Sequence, residues 1–246
     1  MIDIKHLDVQ KLIESNRNSL KPDWNLWSLT KTDKKLKKES PEVYKKYGGG
    51  EIVELEKQFD DELIKLMEQR QSRRKYTNIA LTLSELSYLL YGVAKLHSEG
   101  NGWSKRMIPT AGATHNLETY VVVTNVENVK NGLYRYMPDK GDIEYISDID
   151  LTQFDESIYK QVRNSGATII WCTIPYRCEY KYTFTAHKMI AMEAGHAGQN
   201  LSLAAEVIDC GACCLAAYKQ DLADQVLGVD GIEEFTTYAI TVGKKQ

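Results

Sequence analysis

From residue 82 onward the apolar positions keep a helical beat. Leu86, Leu89, Leu90, Val93 and Leu96 recur at steps of three and four, the spacing that lines one face of an α-helix. Thr82 and Glu85 stand three apart at its head, as in a capping box, where each side chain satisfies the other residue's backbone N–H. Residues 51–69 predict a second helix. The beat then changes. Residues 119–125 (TYVVVTN) are β-branched and aromatic and predict a strand. Residues 133–137 and 142–146 flank Pro138-Asp139-Lys140-Gly141 and predict a hairpin. Residues 167–174 are apolar without polar alternation, as in a strand buried on both faces. Residues 235–242 predict a closing strand. Between these last two lies a long helix over about 185–208, with Gly211 near its C-cap.

That long helix carries small residues at three- and four-residue steps: Ala191, Ala194, Gly195, Gly198, Ser202 and Ala205. Glycine inside a helix costs about 1 kcal/mol relative to alanine, so two of them need a reason. Close approach of another helix or of a flat ligand supplies one. The approach can lie within one protomer or, the preferred reading, across a subunit interface.

Length and charge narrow the class. A chain of 246 residues makes one large domain or one domain with an extension, enough to bury a core without staples. A net charge of −3 excludes a globally basic nucleic-acid binder. No apolar run approaches the ~18 residues of a membrane span, and the first residues lack a signal-peptide pattern, so a soluble, cytoplasmic protein is expected. All five cysteines fall in the C-terminal third, which suits reduced thiols better than a disulfide framework. Cys210 and Cys213 have the spacing of half a zinc site without its second half, so they read as small buried residues and no metal is expected.

Residues 1–60 are expected to form a charged, mainly helical extension. Lys31, Lys34, Lys35, Lys37, Lys38, Lys45 and Lys46 crowd into residues 31–46, a stretch with a single aromatic, Tyr44, which reads as a solvated arm rather than a nucleic-acid patch. Gly48-Gly49-Gly50 breaks the chain before a domain over 61–246.

The candidate chemistry lies in that domain. Arg70, Ser72 and Arg74 alternate, so in an extended segment they share one side. Two forked guanidiniums and a hydroxyl suit a phosphate dianion; the same residues also make an ordinary charged turn. The loop Pro109-Thr110-Ala111-Gly112 is small enough for backbone to approach a planar ring. Further on come Glu193-Ala194-Gly195-His196 with Gly198-Gln199-Asn200, then 211–218 (GACCLAAY), and Val242-Gly243-Lys244-Lys245 near the end. His115, His187 and His196 have no metal-ligand spacing, and His196 reads as a satisfied helix-interface histidine. A P-loop, a Gly-x-Gly-x-x-Gly fingerprint and a Gly-x-Ser-x-Gly elbow are absent.

In order and spacing these motifs resemble the nitroreductase-like flavoproteins, and within them the SagB-type dehydrogenase branch, over about residues 65–245. The resemblance implies an α+β fold with an antiparallel-rich central sheet wrapped by helices. It also implies a homodimer with FMN at the subunit interface and NAD(P)H as a possible electron donor. Carried over, Arg70, Ser72 and Arg74 bind the FMN phosphate and ribityl chain with Gln71 nearby, and Lys244, or else Lys245, completes the clamp. Pro109, Thr110, Ala111 and Gly112 contact the ring from the neighbouring subunit. Backbone of Cys214, Leu215, Ala216 and Ala217 lies near its N5 edge, and Gln199 and Asn200 are further ring or interface candidates. Thr110 replaces the family's serine, and Asn116 stands where many relatives have proline. Azoline dehydrogenases of this branch use a lysine–tyrosine pair where this chain has Lys181 and Tyr182, implying a general base and its hydrogen-bonding partner on a modified-peptide substrate. The alternative for that pair is a solvated lysine beside a packed aromatic. A flavin-binding or scaffold subunit without turnover is the other class the motifs allow.

Overall fold

A computed structural model describes residues 8–32, 34–44, 49–100, 103–161 and 164–246; Lys45, Lys46, Gly48 and the first seven residues lie outside it. Two helices, α1 (Val9–Ser19) and α2 (Trp24–Leu29), precede α3 (Glu62–Gln69) and α4 (Leu83–Ala94). A two-stranded ribbon follows, β1 (Leu96–Gly100) and β2 (Trp103–Arg106), then β3 (Leu117–Val123), β4 (Gly132–Met137), β5 (Asp142–Ser147) and α5 (Leu151–Ser157). The second half contains β6 (Ala167–Thr173), α6 (Pro175–Tyr182), α7 (Ala186–Val207), β7 (Cys210–Leu215), α8 (Gln220–Leu227) and β8 (Phe235–Lys244). The main sheet runs β5-β4-β3-β6-β8-β7, and every adjacent pair is antiparallel.

Period-two alternation sorts the core onto the two faces of this sheet. Val121, Val123, Ile169 and Trp171 pack with Leu86, Leu89, Leu90 and Val93 of α4 and with Leu201 and Ala205 of α7. Val122, Ile170 and Cys172 point the other way, to Phe154, Ile158, Ala223 and Leu227 around α5 and α8. All of β6 is buried, as its unbroken apolar run predicts. The capping box forms: Glu85 N–H donates to Thr82 Oγ1 at 3.1 Å and Thr82 N–H to Glu85 Oε2 at 2.8 Å. The hairpin turn closes with Gly141 N–H on the Met137 carbonyl at 2.8 Å.

Four expectations need correction. The helix expected over 51–69 starts only at Glu62, where Asp61 accepts from Leu63 and Ile64 N–H; the residues before it are exposed and irregular. Leu96 opens β1 instead of ending α4. Gly211 does not cap α7: Ile208 does, Asp209 takes the left-handed turn at φ 53°, and Gly211 sits inside β7, where a Cβ would lie 3.1 Å from Arg73 Cδ. The N-terminal extension is helical only in α1 and α2 among the described residues, and it is not a free arm. Arg17 donates to Glu179 through Nε at 2.7 Å and Nη2 at 2.5 Å. Asn16 donates to the Phe184 carbonyl, Lys21 to that of Gly231, and Leu20 packs on Cys178, Ala186 and Ile190. No described helix is long and apolar enough to cross a membrane.

Candidate functional site

The arginine segment leaves α3 at Arg70, whose ψ of 121° ends the helix, and runs extended beside β7. Ser72 bridges to Ala212, and Arg73 N–H donates to the Ala212 carbonyl at 2.9 Å. Alternation then decides the side chains. Arg73, which carried no role in the sequence reading, is directed inward to the buried Glu206. Arg70 and Arg74 make no ion pair with any described residue; Ser72 and Gln71 are exposed between them. The two lysines behave differently. Lys244 is paired with Glu85, and Lys245 lies 2.8 Å from Glu206 and 3.0 Å from Asp209. Among the described residues, Arg70 and Arg74 thus carry positive charge without an ion-pair partner, while the terminal lysines close Glu85, Glu206 and Asp209.

From Ala212 the strand leads within a few residues to the 214–217 segment. Cys214 Sγ touches Ser202 and Gly198 of α7, Leu215 is buried, Ala216 is exposed, and Gln161 donates to the Ala217 carbonyl at 2.6 Å. Ala191, Ala194, Gly195, Ala216 and Tyr238 line a cleft of about 360 Å³ whose far wall is Leu20, Pro22 and Trp24 of the extension.

The small-residue stripe of α7 divides. Gly198 faces inward, where a Cβ would lie 2.6 Å from Tyr238 Cε1, and Tyr238 stacks on the buried Trp171 at 6.0 Å. Ala194, Ser202 and Ala205 are buried with it. Gly195 faces outward with nothing within 4 Å of such a Cβ, beside exposed Ala191, Met192, His196 and Gln199. His196 is thus exposed on the outer face of α7 in the protomer. Asn200 ties α7 to α4 through the Gly92 carbonyl at 3.2 Å.

The 109–116 loop is held from three sides. Thr110 Oγ1 donates to Glu193 Oε2 at 2.5 Å, and Asn116 Nδ2 donates to the same oxygen at 2.7 Å. Arg177 donates to the His115 carbonyl at 3.0 Å, and Lys181 Nζ to the Gly112 carbonyl at 2.6 Å. His115 Nε2 meets the Ser104 carbonyl at 2.8 Å; burial first, then the charges of Arg106 and Arg177, push the imidazole's pKa down. Gly112 has φ 56°, and a methyl group there would run into the Tyr182 hydroxyl. The fold thus brings Lys181 and Tyr182 onto the predicted ring-facing loop. Replacing Gly112 with alanine should lower stability by about 1–3 kcal/mol, from left-handed strain and overpacking. In thermal melts, Tyr182→Ala in the same chain should recover the steric part, and additive losses would place the two residues apart.

Within one chain the loop and the arginines are far apart. Glu193 anchors the first and Glu206 the second, and at ~1.5 Å per residue these positions are about 20 Å apart along α7. Glu193 and Arg106 also escaped the sequence reading as functional side chains. Glu193 was legible by phase, because it falls with Ala186, Ile190, Ala197 and Leu201 on the buried face of α7.

Comparison with known proteins places this arrangement. The sequence model of the nitroreductase family matches residues 67–244, most of the folded domain. A Methanocaldococcus jannaschii protein named as a nitroreductase is 31% identical over 189 residues, 76% of this chain and 90% of its own. An Escherichia coli microcin synthetase complex, McbBCD with truncated pro-MccB17 bound, matches with TM-score 0.66 and 18% identity over 87% of this chain and 81% of that one. An Anabaena variabilis structure named as a nitroreductase matches with TM-score 0.64 and 23% identity over 75% of this chain, which spans 38% of it. A Desulfovibrio desulfuricans structure, named as a nitroreductase in complex with FMN, matches at TM-score 0.51 and 17% identity over 76% of this chain and 88% of that one. With the helix-flanked antiparallel sheet, the matched span and the archaeal relative in agreement, the chain belongs to the nitroreductase family.

Proposed function

We propose that this chain is an FMN-dependent oxidoreductase of the SagB type, working as a homodimer and moving two electrons between NAD(P)H or an organic donor and a small acceptor. One observation carries the reading: two guanidiniums without carboxylate partners among the described residues flank a serine beside β7, a few residues from a segment bordering the cleft of Ala191, Gly195, Ala216 and Tyr238. Unneutralised arginines on a protein with paired lysines suit a doubly charged phosphate. Arg70 and Arg74 grip it, Ser72 adds a hydroxyl, and Gln71 lies between them; Lys244 and Lys245 back the site by holding Glu85, Glu206 and Asp209. When bound, the flavin supplies the hydride chemistry, and the protein sets its orientation and electrostatics. Backbone at 214–217 borders the ring edge. The separation of about 20 Å along α7 supports assigning the 109–112 loop, with Lys181 and Tyr182, to the site of the other protomer.

The experiment is the visible spectrum of protein purified with excess FMN, followed through anaerobic NAD(P)H titration. A bound flavin that bleaches supports the reading; a colourless protein that takes up no FMN ends it, and a yellow one that no donor reduces indicates a flavin-binding scaffold. The dimer has its own test in Gly195→Leu. A Cβ there meets nothing within 4 Å and leucine is a better helix former than glycine, so the protomer should stay folded while sedimentation shifts toward monomer; unchanged sedimentation removes α7's outer face from the interface.

A second reading, an azoline dehydrogenase acting on modified peptides, is favoured by Lys181 and Tyr182 at Gly112 and by the fold shared with a microcin synthetase subunit. Flavin reduction by a heterocyclised peptide, lost in Lys181→Ala, is its expected signature.

A further inference from the structure

We propose that Glu193 is a positioning residue that holds the 109–116 loop in shape as a proton-bearing carboxyl, and that loss of its proton loosens the loop. The loop cannot hold itself. Gly112, Ala113 and His115 all take positive φ, at 56°, 54° and 45°, and the two non-glycine residues are strained there. Two of its side chains converge on one oxygen of Glu193, and Thr110 Oγ1 in turn accepts from the His115 N–H at 3.2 Å. Thr110 and Asn116 thus tie both ends of the loop to a single carboxyl of α7.

Glu193 is 3% exposed and has no cation within ion-pair distance among the described residues. The charged and titratable groups facing it are Arg106 of β2 and Cys178 of α6, with His115 of the loop beside Arg106. Arg106 acts only through space, and its own Nε is buried without a partner. Burial pushes the Glu193 carboxyl up, against the hydrogen bonds from Thr110 and Asn116 and the pull of Arg106, to about 7. An opened loop returns the carboxyl to water and an ordinary value near 4.5. The closed form therefore binds the proton more tightly, and opening becomes easier as pH rises from about 4.5 to 7, levelling off above.

Only the bearing of this anchor on ligand binding rests on the flavin reading, so the test begins without flavin. Hydrogen exchange of the 111–116 amides in the full chain, corrected for intrinsic rates, is followed from pH 4.5 to 8. In wild type, protection should fall by about a hundredfold across that range, the order set by the difference between the two pKa values. Glu193→Gln keeps an acceptor and carries no charge, so its protection should be high and flat with pH. Thr110→Val leaves the carboxyl in place but removes the hydroxyl, and should cost at least tenfold at His115. Equal protection in all three proteins, or a wild-type fall that persists in Glu193→Gln, overturns the proposal. FMN titration of the same proteins then follows: a wild-type affinity that weakens with pH while that of Glu193→Gln stays flat extends the anchor to the site. A wild-type protein that takes up no FMN defeats the flavin reading and leaves the exchange result standing.

Discussion

Replacing Arg17 with alanine should release the N-terminal helices from the domain and lower stability by about 3 kcal/mol, the low end for breaking a buried ion pair. Glu179 is 6% exposed and receives Arg17 on one side and His187 Nε2, at 2.9 Å, on the other. Without Arg17 the carboxylate keeps one partner, or regains water if α1 peels away, so the loss cannot exceed what docking of α1 contributes. Limited proteolysis near residues 8–22 together with a thermal melt measures both; an unchanged cleavage pattern and melting temperature would show that the ion pair holds nothing. The pH dependence has a definite sign. Burial raises the Glu179 carboxyl, but the hydrogen bonds and charges of Arg17 and His187 outweigh it and bring it to about 2. A pKa depressed in the folded state contributes stability that is complete above about 4.5 and lost as pH falls toward 2. Arg17→Ala should flatten wild-type acid sensitivity in that window.

The largest expected effect on binding lies at the arginines. Arg70→Ala and Arg74→Ala should each weaken FMN about 10- to 100-fold, corresponding to roughly 1.5–3 kcal/mol for a charge-assisted contact, and the double variant should purify without flavin. Fluorescence titration measures this directly. Wild-type affinity in both single variants would remove the phosphate from this segment. Lys244→Ala serves as the contrast, because its ammonium already answers Glu85. It should disturb the head of α4 more than FMN affinity, whereas a hundredfold loss of FMN would reassign the phosphate to the terminal lysine.

Both predictions depend on features of different visibility in the sequence. Alternation at Arg70, Ser72 and Arg74 is a local property, and it correctly separates these residues from Arg73. That Arg73 answers Glu206 is not local, nor is the pairing that occupies Lys244 and Lys245. The sequence places a basic residue, and only the fold shows which carboxylate it also answers. Strand β7 was hidden for a related reason. Its residues (CGACCL) have little β-propensity, and the strand exists because β8 offers it a ladder along Cys210–Leu215. The helix expected over 51–69 failed in the opposite sense: helical propensity before Glu62 meets no apolar face to pack on, and short helices without packing are marginal.

Hydrophobic period, turn chemistry and capping residues determined by themselves where α4, α7, the hairpin and the three central strands lie, because those signals act over a few residues and each is satisfied by its neighbours. Motif order along the chain likewise determined the family. Tertiary structure alone decided which charges are free and which are used. Arg17 meets Glu179 across 162 positions and Thr110 meets Glu193 across 83, and a buried carboxyl takes its partner and its proton from whatever the fold carries to it.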